Sequence, residues 1–143
     1  MYRHFYTAGC WALVATGAAH LFGHYGMVTS EGQNETDRQL LSLMRGHVQD
    51  MGLGFVRSTF DILTGLSLTF AVLSLGLGLI GLLVRRHADT SPGLLRQTAI
   101  AYAGTYGIMS AVAFRYWFPA PLFFVLLTFA CFTLALATAP REG

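Results

Sequence analysis

The chain is 143 residues long, 54% hydrophobic and 11% charged, with a formal net charge of +2. A soluble domain carries roughly 25% charged residues to cover its surface, so this composition excludes an ordinary water-soluble fold. The nine basic residues are all arginines, too few and too scattered for a nucleic-acid footprint. Cys10 and Cys131 both lie in apolar stretches, so they make neither a disulfide framework nor a paired-cysteine metal motif.

Taken in chain order, the first apolar run covers residues 5–27, long enough for a bilayer that needs roughly 20 residues per helix. A signal peptide competes, because Arg3 precedes an apolar core and residues 15–19 are small enough for a cleavage region; the run is read as a span. Next comes a connection with a short amphipathic helix expected over residues 37–51. Thr36 followed by Gln39 forms a capping-box pattern, Gly52 and Gly54 end the helix, and Leu40, Leu43, Met44, Val48 and Met51 form an apolar stripe. That stripe suits a helix lying on the membrane surface or capping the bundle.

The second span, residues 60–84, is interrupted only by Asp61 and stops at Arg85-Arg86. The third, residues 98–114, is more polar, with Tyr102, Thr105 and Tyr106 inside it. The fourth, residues 122–139, is opened by Pro119 and Pro121 and closed by Pro140. Small residues recur along these runs: Ala99, Ala103, Gly107 and Ala111 in the third, Ser67, Ala71, Ser74 and Gly78 in the second, Gly9 and Gly17 in the first. Close approach of such residues drives helix association in lipid. The expected fold is therefore all-α, an integral membrane four-helix bundle in one transmembrane domain.

Arginine counting orients it. With both termini in the cytoplasm, Arg3, Arg85, Arg86, Arg96 and Arg141 lie inside. Arg38, Arg45, Arg57 and Arg115 then lie outside, diluted by Glu31, Glu35, Asp37 and Asp50, while Asp89 offsets the inner set.

Ionisable groups at membrane depth are costly enough to be functional candidates by default. His20 and His24 stand four residues apart on one helical face, and Asp61 opens the second span at the same, outer side. His47 and Arg57 in the connection also fall there, so His20, His24, His47, Arg57 and Asp61 form a candidate polar or ligand-binding cluster. His20 and His24 with Asp61 supply donors that a transition metal such as zinc or iron accepts. Haem fits less well, since residues 60–139 hold only His87 and the ring needs ligands on opposite faces. The preferred alternative is a polar network, in which Asp61 pairs with Arg57 or a histidine and the groups tie helices together.

The residues His20-Leu21-Phe22-Gly23-His24, Met51-Gly52, Arg57-Ser58 with Asp61, residues 65–68 and Tyr116-Trp117-Phe118-Pro119-Ala120-Pro121 form an ordered series. This series resembles a bacterial family of small DoxX-like four-helix membrane proteins, from about His20 to Ala137. The resemblance implies a four-helix bundle in the bacterial cytoplasmic membrane, with no catalytic residues to carry over.

Three functional readings follow. The preferred one is a non-catalytic accessory or structural membrane subunit whose polar cluster orders the bundle. The second is a metal-dependent or redox-linked membrane enzyme using His20, His24 and Asp61. The third is a binder or transporter of a small or lipidic molecule, which needs an oligomer to enclose a path. Expected partners are membrane lipids and either a second copy of the chain or a larger membrane complex.

Overall fold

The computed structural model describes residues 1–87 and 92–139; Asp89, Pro140 and Arg141 lie outside them. Among the described residues the chain is mostly helical. It comprises α1 (Tyr2–Thr29), α2 (Glu35–Gly46), α3 (Thr59–Arg86), α4 (Pro92–Tyr116) and α5 (Pro119–Ala137). A single antiparallel hairpin pairs β1 (Val48–Asp50) with β2 (Val56–Ser58), Gln49 opposite Arg57. Helices α1, α3 and α4 contain the first three predicted spans, and α5 contains the fourth except for its last two residues, ending at Ala137. Of these, α3 and α5 are long and apolar enough to cross a membrane, yet only 22% of the most apolar stretch of each is buried. The core helix of a soluble protein has the opposite pattern, apolar because it is enclosed.

Two compact units divide the chain: Met1–Gly17 with Leu73–Gly143, and Ala18–Val72. In the first, buried positions follow helical spacing, as with Tyr6, Cys10 and Leu13 on α1 and Val125, Thr128, Phe132 and Ala135 on α5. Aromatic rings fill the middle. Phe132 meets Tyr6 edge-on at 5.5 Å and Tyr102 at 4.7 Å between centroids. Hydroxyls then tie helices together, Tyr6 to Thr98 at 3.0 Å and Tyr102 donating to the Leu77 carbonyl at 2.8 Å. Both bonds satisfy groups that apolar surroundings would leave orphaned. Only Trp117 and Phe118 separate α4 from α5, and the two helices pack along their length as a hairpin. Pro119 stands in the first turn of α5, where a missing N–H costs nothing.

The small-residue faces serve this packing. Gly9 makes room for the Phe132 ring, and Gly78 and Gly81 let α3 approach α1 at Cys10. On α4, Ala99 and Ala103 are buried but Ala111 is exposed. A strict four-residue step drifts around a helix of 3.6 residues per turn, so the buried path passes instead through Tyr106, Ser110 and Ala113.

The second unit holds the end of α1, α2, the hairpin and the start of α3. Here the predicted helix over residues 37–51 is corrected. It begins at Glu35, because Asn34 rather than Thr36 caps it, the Asn34 side chain accepting from the Asp37 N–H at 2.9 Å. It stops at Gly46, and residues 48–50 form a strand. A reversal built on Gly52, Leu53 and Gly54, all with positive φ, returns the chain. The Asp50 carboxylate braces it by accepting from the Gly52 N–H at 2.8 Å. The two glycines favour this left-handed backbone, and Val48 and Val56 suit the paired strands.

A paired substitution tests the α1–α3 approach. A Cβ at Gly78 would lie 2.8 Å from the Cys10 carbonyl oxygen and 2.7 Å from Val14 Cγ2, whereas one at Gly76 meets nothing within 4 Å. Gly78→Ala is expected to lower stability by about 1–3 kcal/mol, and Gly76→Ala to leave it unchanged or raise it by up to about 1 kcal/mol. Thermal unfolding in detergent reads both, and equal behaviour of the two would contradict the packing.

Candidate functional site

The stripe that is buried earlier on α1 continues into residues that are half-buried, and His20 and His24 occupy it. Ser67 on α3 stands opposite. His20 Nε2 lies 2.9 Å and His24 Nδ1 3.2 Å from the same Ser67 Oγ. Phe70, one turn further along α3, packs edge-on against the His20 ring at 4.9 Å. The arrangement follows from spacing: two imidazoles one helical turn apart reach inward from α1 and converge on one hydroxyl.

A hydroxyl carries one proton and two lone pairs. If Ser67 gives its proton to one imidazole, the other imidazole must donate to Ser67. Either His20 Nε2–H donates and His24 Nδ1 accepts, or the roles reverse. In both cases the two neutral rings hold the same tautomer, protonated on Nε2 or on Nδ1 alike. The bridge thus couples two protonation sites through one oxygen and can pass a proton between them. His20 Nδ1 and His24 Nε2 have no hydrogen-bond partner among the described residues. Thr64, three residues before Ser67 on the same stripe, has an enclosed hydroxyl that is also without a partner.

The other predicted residues sit elsewhere in this unit. Asp61 is the third residue of α3, and its carboxylate accepts from the Ser58 N–H at 3.1 Å and the Ser58 hydroxyl at 2.7 Å. In return Ser58 Oγ accepts from the Asp61 N–H at 3.1 Å. This reciprocal pair is a capping box. It gives Asp61 a local reason to stand at the start of an apolar helix, where its charge also meets the positive helix end. The expected hydrogen bond from Asp61 to a histidine is not formed among the described residues, nor is an ion pair with Arg57. Arg57 is exposed and turns back on its own strand, donating to the Val56 carbonyl and lying over the Phe55 ring.

His47 caps the end of α2 and shares a hydrogen bond with Thr59 Oγ1 at 2.9 Å, which Gln49 also reaches. It fastens the hairpin to the start of α3. Among the described residues no group of three or more His, Cys, Asp or Glu side chains is placed to hold a metal ion. The His20–His24 pair therefore offers two of the three or four protein ligands a transition metal takes.

Two residues that complete these sites carried readable signals. Ser58-x-x-Asp61 before an apolar run is a capping-box pattern, and Ser67 belongs to the small-residue face facing the histidines. Thr64 gave none, since a threonine in a span ordinarily bonds its own helix. No protein-family model matches the chain, and comparison with curated proteins and with solved structures found no match.

The relay makes a spectroscopic prediction. Histidine ¹⁵N shifts of the protein at a pH where both rings are neutral should show His20 and His24 in one common tautomer. Ser67→Ala should release them to independent mixtures. Opposite tautomers in the unsubstituted protein would show that Ser67 does not donate within the pair.

Proposed function

We propose that the chain is a non-catalytic accessory or structural subunit of a bacterial cytoplasmic membrane. In this reading α1, α3, α4 and α5 cross the bilayer as a four-helix bundle, and the His20–Ser67–His24 bridge ties helices at depth. Both termini are cytoplasmic, which sets Arg3, Arg85, Arg86 and Arg96 on the inner side. Lipids are its surroundings, and a second copy or a larger membrane complex its partner. The resemblance to small DoxX-like membrane proteins belongs to this proposal.

The observation that carries the reading is the way the conspicuous polar groups are spent. Both histidines engage one serine, and the carboxylate of Asp61 is used to start a helix. Polar side chains in spans that bond one another act as ties between helices. Support for lipid comes from the outward surfaces, where Leu66, Val72 and Leu73 on α3 and Ile108 and Phe114 on α4 are exposed. Exposed large apolar side chains in such number are a liability in water and ordinary in a bilayer. The hairpin tip fits the interface between them, for Leu53 is 99% exposed between two glycines, flanked by exposed Met51 and Phe55.

A second reading, binding of a small hydrogen-bonding molecule at the same cluster, is favoured by one observation. The enclosed Thr64 hydroxyl, three residues before Ser67 on the same helix, lacks a partner among the described residues.

Ser67→Ala separates the two. As a structural tie, Ser67 supplies two interhelical hydrogen bonds worth about 0.6 kcal/mol each on average, so its loss should lower the melting temperature in detergent by a few degrees. The protein should stay in the membrane fraction after alkaline washing, with its metal and small-molecule content unchanged. Unaltered stability together with loss of a stoichiometric metal or bound molecule would overturn the structural reading.

A further inference from the structure

One face of the second unit is apolar, exposed and continuous across two elements. Pairing of Gln49 with Arg57 and of Asp50 with Val56 sets the hairpin register, and side chains alternate between its faces. His47, Gln49 and Met51 therefore share a face with Phe55 and Arg57. At the base of that face His47 Nδ1 and the Gln49 amide both reach Thr59 Oγ1, at 2.9 and 3.2 Å. Towards the tip the Met51 N–H donates to the Phe55 carbonyl at 2.8 Å, which continues the pairing. On the α2 side the face runs into a hollow of about 310 Å³ lined by Leu43, Met44, His47 and Thr59. Leu43, Met51 and Phe55 are each more than half exposed. Since α2 contributes no buried residue, its apolar stripe does not cap a core.

Leu53 stands at the tip with a φ of 54° and is 99% exposed. Left-handed backbone strains a leucine and suits glycine or asparagine, so the fold itself gains nothing from an aliphatic side chain there. A large apolar group held out at a strained position is explained by a contact outside the chain. Where the face ends, and what charge surrounds it, decide the nature of that contact. Thr59 opens α3 directly after β2, so the face meets the turn from which the apolar run of α3 departs. The Arg57 guanidinium lies 5.8 Å over the Phe55 ring and that of Arg45 4.9 Å over Phe60. Basic groups at the rim of an apolar surface lay their stems along hydrocarbon while their heads reach phosphate. Arg38, Arg45 and Arg57 are balanced by Glu31, Glu35, Asp37 and Asp50, so apolar insertion rather than attraction to anionic lipid does the holding.

We propose that this face, from Leu43 and Met44 through Met51, Leu53 and Phe55, rests in the outer leaflet of the bilayer, at the boundary between headgroups and acyl chains. The connection between α1 and α3 is then an interfacial anchor, held by buried apolar area in the manner of a surface-lying amphipathic helix. Its hydrogen bonds to Thr59 make it set the depth at which α3 begins. The proposal rests on the membrane reading given above.

The test is photolabelling of the full chain in vesicles of phosphatidylcholine that carries a diazirine either near the glycerol or at the end of an acyl chain. Peptide mapping locates the adducts. Met51, Leu53 and Phe55 should be labelled from the shallow position and not from the chain end, while Glu35 at the start of α2 stays unlabelled. Adding phosphatidylglycerol should leave the yield unchanged. Leu53→Asn should keep or raise the melting temperature, because asparagine accepts left-handed backbone. The same variant should lower the labelling of Met51 and Phe55 by up to about tenfold, the partition factor of one leucine side chain. Labelling of the three tip residues no greater than that of Glu35, or a lowered melting temperature in Leu53→Asn, overturns the anchor. Labelling that rises as the chain is diluted in lipid assigns the face to a second copy and overturns the bilayer as its occupant. Failure of the membrane reading appears separately, as Leu66 and Leu73 on α3 escaping the label at the chain end.

Discussion

A helix that is apolar all round must be covered by something. On α3 and α5 the protein itself covers only a small part, and Leu66, Val72, Leu73, Leu79 and Ile80 on α3 with Phe123, Leu127 and Leu134 on α5 are exposed. In water that surface would drive aggregation; in hydrocarbon it costs nothing, and the driving force moves elsewhere. What is left to hold helices together is close packing and hydrogen bonding. The inside of the first unit is accordingly built mostly from small residues and from the rings of Tyr6, Tyr102, Tyr106 and Phe132, with Leu13, Leu95 and Val125 among them.

The same constraint explains the second unit. Imidazole and hydroxyl groups on otherwise apolar helix faces need partners, and the His20–Ser67–His24 bridge supplies them with one oxygen. Because that oxygen owns a single proton, the partners are also coupled: a change of protonation at one ring is felt at the other. The bridge is thus at once a tie between helices and a short proton path.

Much of this architecture was legible in the residues. The four long helices follow from apolar runs bounded by Arg85-Arg86, Pro119 and Pro121, and His20 and His24 stand out as ionisable groups on one face. The connection was read less well. Residues 37–51 carry an apolar stripe that fits a helix, but Gly46 and the Gly52-Leu53-Gly54 reversal let Val48 and Val56 pair as strands instead. Local backbone preference outweighed periodicity there. Asp61 drew a role at depth because a carboxylate in a span is conspicuous, yet its nearest partner lay three residues back in sequence. Ser67 was visible only as a small residue, since which hydroxyl two histidines converge on depends on helix register, and no single-chain pattern encodes that.

The claim on which the rest depends is that hydrocarbon is the solvent for the outer faces of α3 and α5. Spin labels at Leu66, Leu73 and Ile80, read by power saturation in reconstituted bilayers, test it directly. The account predicts that all three labels are relaxed by oxygen, which partitions into lipid, and are shielded from a water-soluble nickel chelate. Ready collision with the nickel chelate at these positions would contradict it.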